Sequence, residues 1–376
     1  MKDDLRVAEV AAILEALAPR ELAEAWDHVG LQVGDAGQVV RRILVTLEMT
    51  DDIARDLEAG TLVVSHHPLV FRALEVVRSD RPTGRHVAAL LQGGASLIAC
   101  HTNWDKAPGG TDDALAAAIG LVGFVPLVRA ERPLYRLSVI VPEESLDDVR
   151  EAMAAAGAGE SERYRRASFS VHGESTFEPL PGAHPAHGAV GSLAVRGEHR
   201  LEMVVAGERL MAARRAMLAV HPYEEPAYGV DRLVGGTAFG GLGRIGDWPG
   251  EADAEDLARA VAHALTAPGV RLGGARGRRV RRVASVGGSG RSLLTAAADA
   301  GADAIVTADI GHHDARLAEE LGIVVVDAGH RETETPGVRA LARVLGRRLS
   351  DAGHAVELDV AEVAPALRAP APAQEG

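Results

Sequence analysis

Short β-branched apolar segments alternate with helical segments along most of this 376-residue chain, and this alternation restricts the fold more than any other feature. The predicted strands span residues 42–47, 61–64, 95–100, 281–286, 304–307 and 323–327. The predicted helices span residues 5–25, 51–59, 84–92, 111–119, 254–265, 292–300, 314–321 and 335–348. Strands that alternate with helices pack as layers, so we expect an α/β (α+β) core.

The pattern changes between residues 130 and 234, where connections rich in Gly and Pro separate a different set of elements. Strands are predicted at residues 135–141, 168–172 and 200–205, helices at residues 142–156 and 208–220, and a last strand after residue 226. This β-α-β-β-α-β order is that of a ferredoxin-like unit. The predicted organisation is a core built from residues 1–129 and 235–363, a ferredoxin-like insertion at 130–234, and a disordered Ala/Pro-rich tail at 364–376.

Charge and composition argue against several classes of function. The formal net charge is −13 and aromatic residues make up 3% of the chain, so nucleic-acid binding through a basic or base-stacking surface is not expected. No segment reaches about 18 consecutive apolar residues, and the first residues lack the apolar core of a signal peptide. We therefore expect a cytoplasmic protein that does not bind membranes. Because Cys100 is the single cysteine, a metal site would have to use the 15 His and the carboxylates.

Three polar motifs directly follow predicted strands, where ligands of open α/β sheets collect. They are the pair His66 and His67, the pair His101 and Asp105, and the pair His330 and Glu334. The last two residues share one face if a helix begins at His330. Each motif also has a structural interpretation: an exposed His pair in a turn, a helix N-cap Asp, and a polar first helical turn.

Together the motifs favour a metal centre, because neutral imidazole is the commonest metal ligand and carboxylates can bridge two cations. The predicted ligands are His66, His67, Asp105, His330 and Glu334. This set suits two divalent ions about 3.5–4 Å apart. The candidate proton shuttles are His101 and His313. The donor types accept zinc, iron, manganese, cobalt or nickel and do not identify the ion.

Other signals are weaker. Residues 241–246 match the pattern G-x-G-x-x-G, but no helix follows, so a dinucleotide cofactor is not expected. The glycines at 287–290 either hold an anion with backbone N–H groups, close the metal pocket, or form a tight turn. Cys100 at the end of a buried strand is interpreted as a small core residue. The adjacent pair His312 and His313 faces a substrate or supports the ligands.

The motifs also resemble those of a known family. The residues that carry the resemblance are Trp26-Asp27-His28-Val29-Gly30-Leu31, Ser65-His66-His67-Pro68-Leu69, His101-Thr102-Asn103-Trp104-Asp105, Gly287-Gly288-Ser289-Gly290, Asp309 with His313-Asp314-Ala315, and Asp327-Ala328-Gly329-His330 with Glu334. They are similar to the Nif-three-like dinuclear metal-centre family, also called the GTP cyclohydrolase I type 2 homologues. Thr176-Phe177-Glu178-Pro179 and His221-Pro222-Tyr223-Glu224-Glu225-Pro226 resemble the inserted domain of its longer members, which is similar to the CutA and PII ferredoxin-like folds.

The resemblance implies two divalent metal ions held by His66, His67, Asp105, His330 and Glu334, and a ring-shaped homohexamer that is a trimer of dimers. Three residues depart from the family's pattern. His28 stands where the family usually has Asn, Glu48 where it often has Asp, and Trp104 where a smaller apolar residue is common. None of these departures removes a ligand, but they leave the shape of the surrounding pocket open.

Two functions are compatible with these residues. The first is a metal-dependent hydrolase of a nucleotide-like or phosphoester substrate, for which the family label indicates GTP-ring hydrolysis. The second is a non-enzymatic, metal-binding regulatory hexamer whose inserted domain senses a partner or gates the cavity. Turnover that disappears in Asp105→Ala while the assembly stays intact would distinguish the first from the second.

Overall fold

The computed structural model describes residues 4–161 and 163–366, and the chain divides into two compact units. The first unit consists of Met1–Ala130 and Phe239–Gly376, and the second of Glu131–Ala238. The part of the predicted tail that follows residue 366 lies outside the described residues. Within the described residues, no helix is both long enough and apolar enough to cross a membrane.

The elements are as follows. The strands are β1 (Gly30–Val33), β2 (Arg42–Thr46), β3 (Thr61–Ser65), β4 (Ser96–Ala99), β5 (Val122–Pro142), β6 (Phe169–Phe177), β7 (Ala194–Ala206), β8 (Tyr228–Ala252), β9 (Arg271–Gly274), β10 (Val280–Ser289), β11 (Ala304–Ala308), β12 (Val324–Asp327) and β13 (Glu357–Ala361). The helices are α1 (Val7–Leu17), α2 (Asp51–Arg55), α3 (Pro82–Gln92), α4 (Thr102–Lys106), α5 (Thr111–Ala118), α6 (Leu146–Ala155), α7 (Gly207–Val220), α8 (Ala254–Leu265), α9 (Leu294–Asp299), α10 (His312–Glu320) and α11 (His330–Asp351).

One sheet of the first unit has the order β1-β4-β3-β2-β13. Strands β13, β2, β3 and β4 are parallel, and β1 pairs antiparallel with β4. Every residue of β3 and β4 is buried, as expected for central parallel strands covered on both faces. Helices α1 and α11 contribute Val10, Leu14 and Leu345 to the core beside this sheet.

A second set of strands in the first unit has the order β8-β10-β11-β12-β9. Strands β10, β11 and β12 are parallel, and β8 and β9 pair antiparallel at the two sides. Buried Val and Ile side chains such as Val283, Ile305 and Val326 fill the layers beside it. In both sheets the carboxyl ends of the parallel strands lead directly into the polar motifs of the sequence.

In the second unit the chain runs β5-α6-β6-β7-α7-β8, and the strands have the order β6-β7-β5-β8. Strand β7 pairs antiparallel with both β5 and β6. Leu137, Val139 and Leu201 from the strands pack with Met153 from α6 and Met217 from α7 in a separate core.

Several boundaries differ from the sequence predictions. The helix predicted at 5–25 ends at Leu17, because Pro19 disfavours helical backbone at the residue before it. The helix predicted at 51–59 ends at Arg55, although Thr50 caps it by accepting the N–H of Ile53 at 3.3 Å. Pro142 closes strand β5 instead of starting the helix, which begins at Leu146.

Three short strands, β1, β9 and β13, were not predicted, because glycine or polar residues interrupt the apolar run in each of them. The last helix begins at His330 instead of residue 335 and continues through Pro336. A Pro usually marks a helix boundary, so the sequence pattern placed this start too late. The earlier start puts His330 and Glu334 on the same helical face.

Candidate metal centre

The polar motifs meet because they follow the ends of strands and begin a helix within the first unit. His66 and His67 follow β3 directly, and His101 is the residue before α4, just after β4. His330 begins α11, and Glu334 lies one turn further along that helix. Two groups of side chains, His66 with His67 and His101, and His67 with His330 and Glu334, have ligand atoms within 4.8 Å of one another and can hold a metal ion.

His66 offers one free ring nitrogen. Its Nδ1 lies 3.0 Å from the carbonyl oxygen of Cys100, and because a carbonyl only accepts, Nδ1 carries the proton. Its Nε2 is buried with no hydrogen-bond partner and lies 3.5 Å from Asp105 Oδ1 and 3.6 Å from Glu334 Oε1. The backbone carbonyl therefore orients the imidazole with a lone pair toward two carboxylates.

Like His66, Asp105 has a buried polar atom without a hydrogen-bond partner. Its Oδ1 is buried without a hydrogen-bond partner, and burial raises the pKa of this carboxyl to about 7. Two buried acceptor atoms without a donor, His66 Nε2 and Asp105 Oδ1, are costly in a protein interior unless a cation binds between them. The residues therefore fit a metal ion.

Glu334 is the central carboxylate. Its Oε2 lies 3.0 Å from His67 Nε2, and its Oε1 lies 3.1 Å from His330 Nε2. Burial acts to raise its pKa, but His66, His330 and His67 outweigh burial and hold the pKa well below the usual range. A carboxylate with both oxygens among three imidazoles is suited to bridging cations.

Glu334 also raises the pKa values of the two partly exposed imidazoles, His67 and His330. Burial acts to lower the pKa of His67, but Glu334 and Glu48 raise it to about 10. Glu334 and Asp309 raise the pKa of His330 to about 9. The carboxylates thus hold positive charge at these positions when no metal is bound.

His101 is held by Asp27, a carboxylate whose side chain is inaccessible to solvent. Asp27 Oδ1 lies 3.0 Å from His101 Nδ1, and Asp27 Oδ2 accepts the backbone N–H and hydroxyl of Thr102. Burial acts to raise the pKa of Asp27, but these hydrogen bonds lower it to about 2. The His101 ring centroid lies 5.3 Å from that of His66 and 5.6 Å from that of His67.

The structure brings together most of the predicted site residues. His66, His67, His330 and Glu334 are in mutual contact, and Asp105 lies beside His66. Asp105 is inside α4 and is not its N-cap. His101, which the sequence analysis paired with Asp105 and named as a candidate proton shuttle, joins a group that can hold a metal. His313 lies exposed in the first turn of α10, with its ring against that of His312.

Three carboxylates were given no role in the sequence predictions, although each contacts the outer nitrogen of an imidazole. Asp27 contacts His101, Glu48 Oε2 lies 3.6 Å from His67 Nδ1, and Asp309 Oδ2 lies 2.6 Å from His330 Nδ1. Glu48 and Asp309 closely follow β2 and β11, so the strand-end rule that located the His motifs also applies to them.

The glycines at 287–290 close the centre and do not form an anion cradle. The N–H groups of Gly287, Gly288 and Gly290 donate to Asp112, Thr333 and Thr307. Gly288 has φ +60°, and a Cβ there would collide with the Glu334 carboxylate. Only glycine fits this position, because it combines left-handed backbone with close approach to a side chain.

Two other sequence interpretations have structural counterparts. Residues 241–246 lie within strand β8, so no helix N-terminus follows the glycines. Cys100 is buried, and burial raises the pKa of its thiol to about 12. Cys100 therefore acts through its backbone carbonyl, which orients His66, and not as a thiolate.

The Duf34/NIF3 (NGG1p interacting factor 3) family model matches residues 5–366. The chain belongs to this family. It is 37% identical over 346 residues to a Mycobacterium bovis protein named GTP cyclohydrolase 1 type 2 homolog, covering 91% of each chain. It is 36% identical over 325 residues to a Bacillus subtilis protein of the same name, covering 86% of this chain and 87% of the relative.

Solved structures of the Duf34/NIF3 family have the same fold. A Bacillus cereus protein related to NIF3 aligns with a TM-score of 0.80 at 30% identity, covering 96% of this chain and 98% of that one. A Staphylococcus aureus protein aligns with a TM-score of 0.82 at 24% identity, covering 99% and 100%.

The three departures from the family's pattern occupy different places in this Duf34/NIF3 chain. Trp104 is buried in the core, and its indole N–H donates to the carbonyl of Gly337 in α11 at 3.0 Å. Glu48 contacts His67, and His28 lines a cleft of about 660 Å³ that Asp27 also lines. Trp104 thus joins the two helices that carry Asp105 and Glu334.

Proposed function

We propose that this chain is a metal-dependent hydrolase that binds two divalent metal ions and acts on a nucleotide-like or phosphoester substrate. The observation that carries the proposal is the buried pair His66 Nε2 and Asp105 Oδ1, which have no hydrogen-bond partners and lie beside the Glu334 carboxylate. The relatives' name, GTP cyclohydrolase 1 type 2 homolog, supports the choice of a nucleotide-like substrate.

The ions would be held by His66, His67, Asp105, His330 and Glu334. Bound divalent ions would lower the pKa of a water molecule toward neutrality and polarise the bond to be hydrolysed. Glu334, with both oxygens among imidazoles, and Asp105, beside His66, would supply the carboxylate oxygens that help to hold the ions.

The remaining residues orient the ligands and move protons. Asp27, Glu48 and Asp309 fix the outer nitrogens of His101, His67 and His330, which sets the direction of each imidazole. His101, oriented by the low-pKa Asp27, is the better-placed proton shuttle, and His313 on α10 is the second candidate.

Two exposed aromatic side chains beside His101 support a planar substrate. Trp26 and Phe71 are 54% and 49% exposed, and their ring centroids lie 5.7 Å apart. The centroids lie 6.0 Å and 6.5 Å from that of His101. Exposed large aromatics are unfavourable without a partner, and a heterocyclic base stacked on them would cover this surface next to the metal centre.

The experiment is a metal determination on the purified full chain, followed by a screen of nucleotides and phosphoesters. The hydrolase proposal expects turnover of a panel member that is lost in Asp105→Ala while the assembly is unchanged. Full metal content without turnover across the panel would instead favour the alternative, a non-enzymatic metal-binding regulatory protein.

We further propose a cytoplasmic homohexamer built as a trimer of dimers. We also propose that the second unit is a ferredoxin-like insertion related to the CutA and PII folds. The element order β5-α6-β6-β7-α7-β8 supports the ferredoxin-like part of this proposal.

A further inference from the structure

The second unit contains a cavity that the proposed hydrolase does not use. Its volume is about 300 Å³, at the lower end of the range for small-molecule sites. Two sequence motifs without a role in the metal centre meet there: Thr176, Phe177 and Pro179 at the end of β6, and Tyr223 with Glu224 and Glu225 before β8.

Aromatic rings form one side of this cavity. The Tyr223 ring centroid lies 6.2 Å from that of Phe177 and 6.2 Å from that of His187. The whole chain has only five Phe and four Tyr, so the meeting of two of them at one small cavity is notable. The faces of such rings carry negative charge density and attract cations within about 6 Å.

Carboxylates supply negative charge to this cavity. Glu198 on β7 is buried, and its two oxygens accept hydrogen bonds from the Ser175 and Tyr223 hydroxyls. Burial and the Glu198 carboxylate raise the pKa of the Tyr223 phenol, so this group stays a donor. Glu224 and Glu225 add two exposed carboxylates.

None of the described lining residues is a Lys or an Arg, and among them only His187 can carry positive charge. The hydrogen-bond donors of the buried Glu198 carboxylate are two neutral hydroxyls, and a cation bound in the cavity would offset the cost of burying its charge. The other walls, including Ile140, Pro179 and Pro185, are apolar. The lining thus combines aromatic faces, negative charge and apolar walls.

We propose that this cavity binds a small organic cation, an ammonium group carried on an apolar carbon frame. The aromatic faces and Glu198 hold the charged group, and the Pro and Ile side chains contact the carbon atoms. The proposal does not depend on the hydrolase activity of the first unit.

The test is calorimetric titration of the full-length, metal-loaded protein with choline and with 3,3-dimethylbutan-1-ol, its neutral isostere. The proposal expects choline to bind at least about tenfold more tightly, because only choline carries charge for the rings and Glu198. Equal binding of the two compounds, or no binding of choline, tetramethylammonium or putrescine at millimolar concentration, would overturn the proposal.

Variants locate the binding to this cavity. Glu198→Gln keeps the shape and an acceptor, and Tyr223→Leu removes a ring; each is expected to weaken choline binding about tenfold. Glu174→Gln, an exposed site on the same strand as Phe177, is the control and should leave the affinity unchanged. Unchanged affinity in the first two variants would place the binding elsewhere. If a variant does not fold, the comparison of choline with its neutral isostere on the parent chain still tests whether the protein binds an organic cation.

Discussion

Each imidazole of the metal centre is fixed by a partner on its outer nitrogen. His66 donates to the Cys100 carbonyl, and His101 and His330 contact Asp27 and Asp309. Such contacts select the tautomer and the ring direction, so the ligand atoms converge before a metal binds. The centre is therefore defined by pairs of residues and not by the His residues alone.

Gly288 gives the first prediction. The Cβ added in Gly288→Ala would collide with Glu334 Oε1 and lie 3.1 Å from His330 Nε2. Because both side chains are predicted ligands, we expect this variant to bind less metal per chain. Gly301→Ala is the matched control, because Gly301 has φ +78° but no atom near the added Cβ. Both variants carry a backbone cost of about 1 kcal/mol. Elemental mass spectrometry measures the metal content. Equal metal content in the two variants would contradict the claim that Gly288 leaves room for the Glu334 carboxylate.

His221 gives a pH prediction in the second unit. Burial lowers its pKa, although the Ile140 carbonyl and Glu198 act in the opposite direction. The folded pKa therefore lies below the unfolded value of about 6.5, so the unfolded state binds more protons and stability falls as pH decreases below about 6.5. The protection of α7 and β5 against hydrogen exchange, corrected for the intrinsic exchange rate at each pH, should therefore decrease as the pH falls below about 6.5.

The control for this prediction is His221→Gln, which keeps a donor toward Ile140 but does not titrate. Its corrected protection factors should depend less on pH than those of the parent chain. A matched change at the exposed His184, His184→Gln, should leave the pH dependence intact. If His221→Gln and the parent respond equally to pH, another group is responsible.

At the scale of single residues, the sequence predicted site residues where a side chain that can bind metal also lay just after a predicted strand or at the start of a helix. His66 and His67 were predicted because they directly follow a buried strand, and Glu334 because it lies one helical turn after His330. Asp27, Glu48 and Asp309 received no role, because an acidic residue in a connecting segment is also a common helix cap, and because the imidazole that each contacts is distant in sequence.

Helix α11 is the element on which the centre depends. It presents His330 and Glu334 at its first turn and then packs closely on α5. At the contact, an added Cβ on Gly337 would lie 2.6 Å from Thr111 Oγ1 and 2.8 Å from its Cα. Gly337 thus sets how near α11 approaches the helix that follows Asp105.

We therefore predict opposite effects of one substitution at two positions of α11. Gly337→Ala should lower the free energy of unfolding by about 1–3 kcal/mol, because backbone atoms of Thr111 must move. Gly346→Ala should raise it by about 0.5–1 kcal/mol, because its Cβ meets nothing nearer than 3.9 Å and Ala favours helix. Denaturant unfolding measures both, and the same sign for the two variants would contradict the packing account.

Elements with a strong pattern were predicted and short ones were not. The buried strands β3 and β4 contain unbroken apolar runs and follow from the sequence, whereas glycine or charged residues interrupt the runs of β9 and β13. The start of α11 was missed because Pro336 lies inside the helix, where tertiary packing outweighs the local preference.

At the scale of the whole molecule, the chain belongs to the Duf34/NIF3 family and divides into two compact units. The β-α-β-β-α-β order of the middle segment could be predicted from the change in pattern near residue 130. The cavity in that segment could not, because Phe177 and Glu198 lie on paired strands and Tyr223 lies in the connection before β8, far from both in sequence.

The proposed hexamer has its own test. Leu74, Val76 and Val77 form an exposed apolar segment after the His66 motif, and such segments are commonly buried between subunits. Light scattering coupled to size exclusion should give the mass of six chains for the parent and a smaller assembly for Val77→Asp. Leu180→Asp, at an exposed position in the second unit, should not change the mass. A monomeric parent chain would refute the assembly.

The metal-to-chain ratio of the purified protein tests the central claim most directly. The parent chain and the control His184→Ala should each hold two divalent ions per chain. His66→Ala and Glu334→Ala should each hold less than one, because His66 and Glu334 supply donor atoms at the middle of the centre. Metal content that is the same in all four proteins would contradict the proposed centre.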